Sequence, residues 1–208
     1  MKQKIFPSLM PKNQKQLGRD LLHLRGVVKH LHLDVVDGKF AKNKVLMFPF
    51  KLKKEFFYSA HLMVKNPEQW IKKHGRKIDL VIPHLEELKD VDSYIKERKR
   101  KKSKVALAVL PETRLKKIKP YLKELDYILL LTVHPGFYGS KYLVRNYRIK
   151  RIKKINPKIK IIVDGGMNPK TIRNAAKAGA DYFVSGSYTT KSDDPRQSIK
   201  NLLEAIKR

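Results

Sequence analysis

The sequence contains no cysteine, few acidic residues and no long apolar run. Without cysteine there is no disulfide, no thiolate metal site and no cysteine nucleophile, so any metal ligand must come from His, Asp or Glu. This is compatible with a reducing cytoplasm, which is the location we expect. No apolar run approaches the roughly 18 residues that cross a bilayer. Met1–Lys4 leads directly into a strand-like segment, so we expect neither a signal peptide nor a membrane span.

The shortage of acidic residues leaves a strongly basic chain. Its 48 Lys and Arg against 19 Asp and Glu give a formal net charge of +29. Such a charge attracts phosphates of every kind, including nucleic acid. However, the basic residues are scattered, and the one dense cluster, residues 96–104, has no aromatic side chain for base stacking. We therefore interpret the charge as a solvated surface and expect no specific nucleic-acid partner.

Short β-rich segments alternate along the 208 residues with amphipathic, cation-rich stretches. This alternation is typical of a parallel α/β sheet, and eight strands are the number that closes a barrel of roughly 200–250 residues. We therefore predict an α/β fold, a (β/α)₈ TIM barrel, as a single domain over residues 1–208. The eight predicted strands are Lys4–Pro7, His30–Val35, Phe57–Val64, Asp79–Pro83, Lys104–Val109, Tyr127–Val133, Lys160–Val163 and Tyr182–Ser185.

Asn-Pro pairs predict the starts of two helices, at Asn66-Pro67 and Asn168-Pro169. Asn caps a helix well, and Pro suits its first position because no N–H is needed there. Gly179 predicts the end of the second of these helices. The segment between Asn43 and Phe57 is short and contains a proline, so we expect the barrel's second helix to be shortened to a turn or two, or to be absent.

Chemically reactive side chains concentrate at the predicted strand ends. His32 and Asp34 share one face of their strand, while leucines and a valine occupy the other. His61 shares one face of a second strand with Met63, and Asp164 follows the apolar run Ile161–Val163. Charged groups that point into a core need partners or a metal. The two imidazoles and two carboxylates therefore predict a site for one divalent ion, which could be zinc, iron, manganese or cobalt.

Glycine-rich turns follow the last three predicted strands. They are found at residues 135–140, at Gly165-Gly166 and at Gly186-Ser187. Backbone N–H groups in such turns bind phosphate without a charged side chain, and the loops after strands seven and eight are the usual phosphate site of a TIM barrel. A phosphorylated substrate is therefore expected beside Asp164.

Taken together, these motifs resemble the ribulose-phosphate 3-epimerase family over nearly the whole chain. The segments that carry the resemblance are Pro7-Ser8-Leu9, His32-Leu33-Asp34-Val35-Val36-Asp37-Gly38, His61-Leu62-Met63-Val64-Lys65-Asn66-Pro67, His84-Leu85-Glu86, Thr132-Val133-His134-Pro135-Gly136-Phe137, Val163-Asp164-Gly165-Gly166-Met167-Asn168 and Ala178-Gly179-Ala180-Asp181. The resemblance implies an isomerase of carbohydrate metabolism in the pentose phosphate pathway, and possible homo-oligomers.

The resemblance also implies a role for each site residue. His32, Asp34, His61 and Asp164 would hold the metal, and Asp34 and Asp164 would exchange the C3 proton of D-ribulose 5-phosphate through an enediolate to give D-xylulose 5-phosphate. Ser8 would bond near the catalytic carboxylates, and His61 and Met63 would contact the substrate. Its phosphate would lie against Gly136, Gly139, Gly165, Gly166, Gly186 and Ser187.

Several positions depart from the family pattern, which affects the shape of the pocket more than its chemistry. The departing residues are Met10, Pro11, Lys12, Val36, Lys39, Leu110, Leu131, His134, Tyr138 and Ser140. Two alternatives stay open at this point. One is a hexulose-6-phosphate 3-epimerase, which needs a roomier pocket near Leu131 and Tyr138, and the other is a non-catalytic barrel that binds phosphate or nucleic acid.

Overall fold

The computed structural model describes residues 4–135, 142–143 and 145–207. Its strands are β1 (Ile5–Leu9), β2 (His30–Asp37), β3 (Lys44–Val45), β4 (Phe57–Met63), β5 (Leu80–Pro83), β6 (Ala106–Val109), β7 (Tyr127–Leu131), β8 (Lys160–Asp164) and β9 (Tyr182–Ser185). Its α-helices are α1 (Gln14–His23), α2 (Pro67–His74), α3 (Val91–Arg100), α4 (Leu115–Ile118), α5 (Tyr147–Ile155), α6 (Pro169–Lys177), α7 (Ser187–Thr190) and α8 (Pro195–Lys207). Short 3₁₀ turns cover Gly75–Lys77, Leu85–Glu87 and Lys119–Tyr121. No helix within the described ranges is long and apolar enough to cross a membrane.

Eight of the described strands are parallel and form a nearly closed barrel. Their order is β5-β4-β2-β1-β9-β8-β7-β6. The gap between the two end strands is spanned by a parallel bridge between His84 and Ala108. The predicted TIM barrel is therefore confirmed, and all eight predicted strands are present with boundaries shifted by a few residues.

Two apolar layers separate the inside of the barrel from its helical coat. Leu31, Leu33 and Val35 pack outward in one cluster with helical residues such as Leu17 and Trp70. A smaller cluster fills the interior, with Phe6, Ile82, Leu129, Ile162 and Val184 among its members. The strand alternation therefore places the leucines toward the helices and leaves His32 and Asp34 facing inward.

Three strands are each preceded by an aspartate, and the three carboxylates make the same kind of contact at the N-terminal end of the barrel. Asp79 accepts a hydrogen bond from the Tyr58 N–H at 2.8 Å. Asp126 accepts one from the Val105 N–H at 2.9 Å, and Asp181 accepts one from the Ile161 N–H at 2.9 Å. Each carboxylate thus ties the start of its own strand to a neighbouring strand, at the end of the barrel that usually serves stability rather than catalysis.

The two Asn-Pro pairs start helices as predicted, but only one Asn acts as a side-chain cap. The Asn168 side chain accepts from the backbone of Lys170 and Thr171, and Thr171 completes a capping box. Asn66 makes no side-chain cap hydrogen bond, so that part of the prediction is wrong. Gly179, at φ +104°, follows the end of α6 as expected.

The connection between β2 and β4 contains no helix in residues 38–56, all of which the structure describes. The barrel's second helix is therefore absent, one of the two outcomes predicted. Instead, the two-residue strand β3 pairs antiparallel with the end of β2, with Val45 opposite Val36. Leu46 then adopts φ 54°, and its N–H donates to the Pro11 carbonyl at 3.0 Å.

Candidate active site

The four predicted metal ligands meet at the C-terminal end of the barrel. Asp34 on β2 lies directly opposite His61 on β4, and Asp164 is the last residue of β8. His32 is two residues before Asp34, so its side chain points to the same face. One ligand atom from each of the four residues lies within 4.8 Å of every other, and all four residues are buried.

The distances within this cluster are short. His61 Nδ1 is 3.0 Å from Asp164 Oδ2 and 3.6 Å from Asp34 Oδ1. His32 Nε2 is 3.7 Å from Asp164 Oδ2 and 3.8 Å from Asp34 Oδ1. Asp164 Oδ2 and Asp34 Oδ1 therefore each lie close to a nitrogen of both imidazoles.

The cluster fits a divalent ion by two observations. His32 Nε2 and Asp34 Oδ1 are buried with no hydrogen-bond partner among the described residues. Buried polar atoms without partners are rare and call for an explanation such as an ion. Four N/O ligands about 2.1 Å from one ion in a tetrahedron would lie about 3.4 Å apart, close to the separations seen here.

The titration of the cluster follows from burial and from the paired charges. Burial alone would lower the pKa of His61, but the hydrogen bonds and charges of Asp164 and Asp34 raise it to about 9. Burial opposes ionisation of Asp164, yet the hydrogen bond with His61 and the nearby imidazoles keep the Asp164 pKa below its ordinary value. Burial lowers the pKa of His32. With no ion bound, His61 therefore carries a proton and His32 is neutral at pH 7.

A cavity of about 420 Å³ opens above the cluster. Asp34 and Asp164 line it, whereas His32 and His61 are fully buried behind them. Other residues named from the sequence also line the cavity, and they are Ser8, Met63, Gly165, Gly166, Gly186 and Ser187. The predicted catalytic and substrate residues within the described ranges thus surround one space, with His61 behind its wall.

The Gly165-Gly166 turn forms one side of this cavity. Both glycines have positive φ, at 102° and 65°. A Cβ at residue 165 would lie 2.5 Å from Val133 Cγ2, so no other residue fits this turn without movement. The predicted phosphate contacts Gly136 and Gly139, together with the departures at Tyr138 and Ser140, lie outside the described residues.

Sequence reasoning missed several neighbours of the site. Tyr142, Met167, Asn168 and Tyr188 also line the cavity. These residues come from loops and short helices, where no strand alternation indicates which side chains face inward.

Sequence reasoning also assigned no role to His84 and Glu86, which lie behind His61. His61 Nε2 is 2.8 Å from His84 Nε2, and His84 Nδ1 is 3.1 Å from Glu86 Oε2. Burial lowers the pKa of His84 to about 4. Burial opposes ionisation of Glu86, but bonds from His84, Thr113 and the backbone of Leu110 lower the Glu86 pKa to about 2. The position of His84 directly after β5 was the signal that could have indicated a site residue.

TIM-barrel enzymes carry their active sites at the C-terminal end of the barrel. This chain has buried carboxylates and imidazoles beside a cavity at that end, which is the arrangement of such an enzyme. The model of the ribulose-phosphate 3 epimerase family matches residues 4–190. The chain therefore belongs to the ribulose-phosphate 3-epimerase family, and it is an isomerase of the epimerase type.

Individual relatives agree with this assignment. The chain is 30% identical over 216 residues to ribulose-phosphate 3-epimerase of Schizosaccharomyces pombe, covering 98% of this chain and 93% of the relative. It is 32% identical to ribulose-phosphate 3-epimerase of Methanocaldococcus jannaschii, covering 91% and 88%.

Solved structures show the same fold. KGPDC from Streptococcus mutans matches with a TM-score of 0.69 and 12% identity, covering 99% of this chain and 97% of that one. 3-Hexulose-6-phosphate synthase from Salmonella typhimurium matches with a TM-score of 0.66 and 15% identity, covering 98% of each chain.

Proposed function

We propose that the protein is a metal-dependent ribulose-phosphate 3-epimerase that interconverts D-ribulose 5-phosphate and D-xylulose 5-phosphate. The observation that carries the proposal is the buried cluster of His32, Asp34, His61 and Asp164, because its two carboxylates line the cavity. The family assignment supports the substrate class, since the relatives carry the name ribulose-phosphate 3-epimerase.

Inversion at C3 of a 2-ketose requires removal of a proton beside the ketone and its return on the other face. Asp34 and Asp164 suit this task because they come from β2 and β8, which two other strands separate. One carboxylate accepts the C3 proton from one face, and the other delivers a proton to the opposite face of the planar enediolate. Each carboxylate places one oxygen in the cluster, which leaves its second oxygen to carry the proton.

His32, Asp34, His61 and Asp164 would hold one divalent ion, of zinc, iron, manganese or cobalt. When bound, such an ion supplies Lewis acidity toward the substrate oxygens beside C3. The residues behind the cluster support it, since Ser59 Oγ lies 2.8 Å from His32 Nδ1. This contact orients the imidazole with Nε2 toward Asp34 and Asp164.

The sugar phosphate is held at the glycine turns beside Asp164. Gly165, Gly166, Gly186 and Ser187 line it close to Asp164. Their backbone N–H groups bind a phosphate, while the buried Met63 offers an apolar wall. A volume of about 420 Å³ is within the range of small-molecule cavities and suffices for a pentulose phosphate.

The direct test is a coupled assay on D-ribulose 5-phosphate with purified protein, run before and after treatment with a chelator. We expect rapid conversion to D-xylulose 5-phosphate, loss of activity in the chelated protein, and recovery when a divalent ion is returned. A hexulose 6-phosphate should be converted much more slowly. A faster reaction with the hexulose, or full activity without any divalent ion, would overturn the proposal.

Binding of the ion should also displace a proton from His61, because a histidine binds a metal through an unprotonated ring nitrogen. The His61 pKa of about 9 in the ion-free protein lies above the ordinary histidine value, so the proton is held at pH 7 and is lost only above the raised value. We expect calorimetry at pH 7 in two buffers of different ionisation enthalpy to show about one proton released per ion. The apparent affinity should rise about tenfold per pH unit up to the His61 pKa. An affinity that does not change with pH would contradict this account.

A further inference from the structure

A buried series of hydrogen-bonded side chains leads from the cluster to the loop after β6. His61 and His84 are both fully buried, and their Nε2 atoms are 2.8 Å apart. His84 Nδ1 then lies 3.1 Å from Glu86 Oε2. The other Glu86 oxygen accepts the Leu110 N–H at 3.0 Å and the hydroxyl of Thr113.

The far end of this series is held rigidly by a buried arginine. The Arg148 guanidinium donates to the carbonyls of Leu110 at 3.1 Å, Pro111 at 3.2 Å and Thr113 at 3.1 Å. Arg148 is only 3% exposed. The Leu110 N–H therefore points at Glu86 from a fixed loop and cannot turn away.

The direction of every hydrogen bond in the series follows from the Glu86 carboxylate. A carboxylate only accepts, so the hydrogen between Glu86 and His84 belongs to His84 Nδ1. A neutral His84 then has a lone pair on Nε2, and the hydrogen between the two imidazoles belongs to His61 Nε2. In the ion-free protein His61 also carries a hydrogen on Nδ1, which it shares with Asp164. When the ion displaces that proton, His61 keeps the hydrogen on Nε2 and presents the Nδ1 lone pair to the ion site.

We propose that His84 and Glu86 are positioning residues that hold His61 in the tautomer whose Nδ1 can bind the divalent ion. The inference rests on the proposed metal site and deepens it, because it assigns a task to two residues outside the ligand set. Carboxylate–histidine contacts behind a metal ligand typically fix its tautomer and its orientation. Here a second histidine stands between the carboxylate and the ligand.

Glu86→Gln tests the proposal because it reverses the direction of these hydrogen bonds without changing the shape of the side chain. The amide oxygen must face the Leu110 N–H, so the NH₂ group faces His84 Nδ1. His84 then carries its hydrogen on Nε2, and His61 points an N–H at the ion site. We expect the Kd for Zn²⁺ or Co²⁺, titrated into the metal-free protein, to rise about 10- to 100-fold.

Thr113→Val is the matched control. It removes one donor from the same carboxylate but leaves the bond between Glu86 and His84 intact, so its Kd should stay within about threefold of the wild type. Circular dichroism checks that both variants fold. If both variants lose affinity equally, or if Glu86→Gln binds as tightly as the wild type, the proposal is wrong.

Histidine ¹⁵N NMR reads the tautomers directly and does not depend on turnover. We expect His84 to carry its hydrogen on Nδ1 in the wild-type protein, both with and without the ion, and on Nε2 in Glu86→Gln. Wild-type His84 with its hydrogen on Nε2 would overturn the inference. A wild-type protein that binds no ion would instead contradict the proposed metal site, and the His84 signal would still decide whether the series runs in the inferred direction.

Discussion

Replacing Asp34 or Asp164 with Asn is expected to lower kcat/KM for D-ribulose 5-phosphate by about 10²- to 10⁴-fold. Asn keeps the shape of the side chain and still offers an oxygen, but it does not exchange a proton at neutral pH. Either substitution therefore stops one half of the two-sided proton transfer. The coupled assay on each single variant measures the loss.

Two controls separate proton transfer from other effects. Metal content must be measured in each variant, because both aspartates lie in the ligand cluster. Asp126→Asn changes a carboxylate at the opposite end of the barrel, where it accepts the Val105 N–H. That variant should lose stability but keep its turnover. Asp34→Asn and Asp164→Asn proteins that retain both metal and near-native turnover would show that the mechanism is wrong.

Gly165→Ala is expected to lower the free energy of unfolding by about 2–4 kcal/mol and to raise the KM for the sugar phosphate. The new methyl group would lie 2.5 Å from Val133 Cγ2, and the backbone has φ +102° there. The turn must shift to relieve the close contact and the backbone strain, and this shift moves the backbone N–H groups assigned to the phosphate. Urea unfolding and steady-state kinetics give the two values.

Gly18→Ala is the comparison for this variant. Gly18 lies within α1, and a Cβ there would meet nothing within 4 Å. Alanine favours a helix over glycine by up to about 1 kcal/mol, so this change should be neutral or stabilising. If Gly165→Ala behaved like Gly18→Ala in both stability and KM, the turn would not be constrained as described.

The barrel and its central cluster could be predicted from the sequence because strand geometry is nearly local. Alternation alone places His32 and Asp34 on one face. Parallel strands then bring their C-terminal ends, with His61 and Asp164, to one rim. No knowledge of the helices was needed to bring these four side chains together.

Features that depend on tertiary contacts could not be predicted in the same way. Asn66 and Asn168 both precede a proline at a helix start, yet only Asn168 caps with its side chain, and the backbone differs, with ψ 175° at Asn168 and 74° at Asn66. The strand β3 has only two residues, too few for any periodic signal. The role of Glu86 depends on Arg148 fixing a distant loop, which no local pattern reveals.

The departure from the family pattern at Leu110 concerns a residue whose bonds to the site come from its backbone. Leu110 contributes its backbone to the site, since its N–H donates to Glu86 and its carbonyl accepts from Arg148. These bonds do not depend on the side chain. At His134, by contrast, the imidazole is 74% exposed and its Nδ1 is 3.8 Å from Glu112, so this change lies at the surface.

The central claim is that Asp34 and Asp164 act on opposite faces of C3, and deuterium exchange at C3 tests it most directly. Each epimer is incubated with each Asn variant in D₂O, and ¹H NMR follows the C3 hydrogen. We predict that one variant loses exchange from D-ribulose 5-phosphate and the other keeps some exchange without net epimerisation, and that the two variants swap behaviour with D-xylulose 5-phosphate. Equal exchange from both epimers in both variants, or wild-type product without deuterium at C3, would contradict the account.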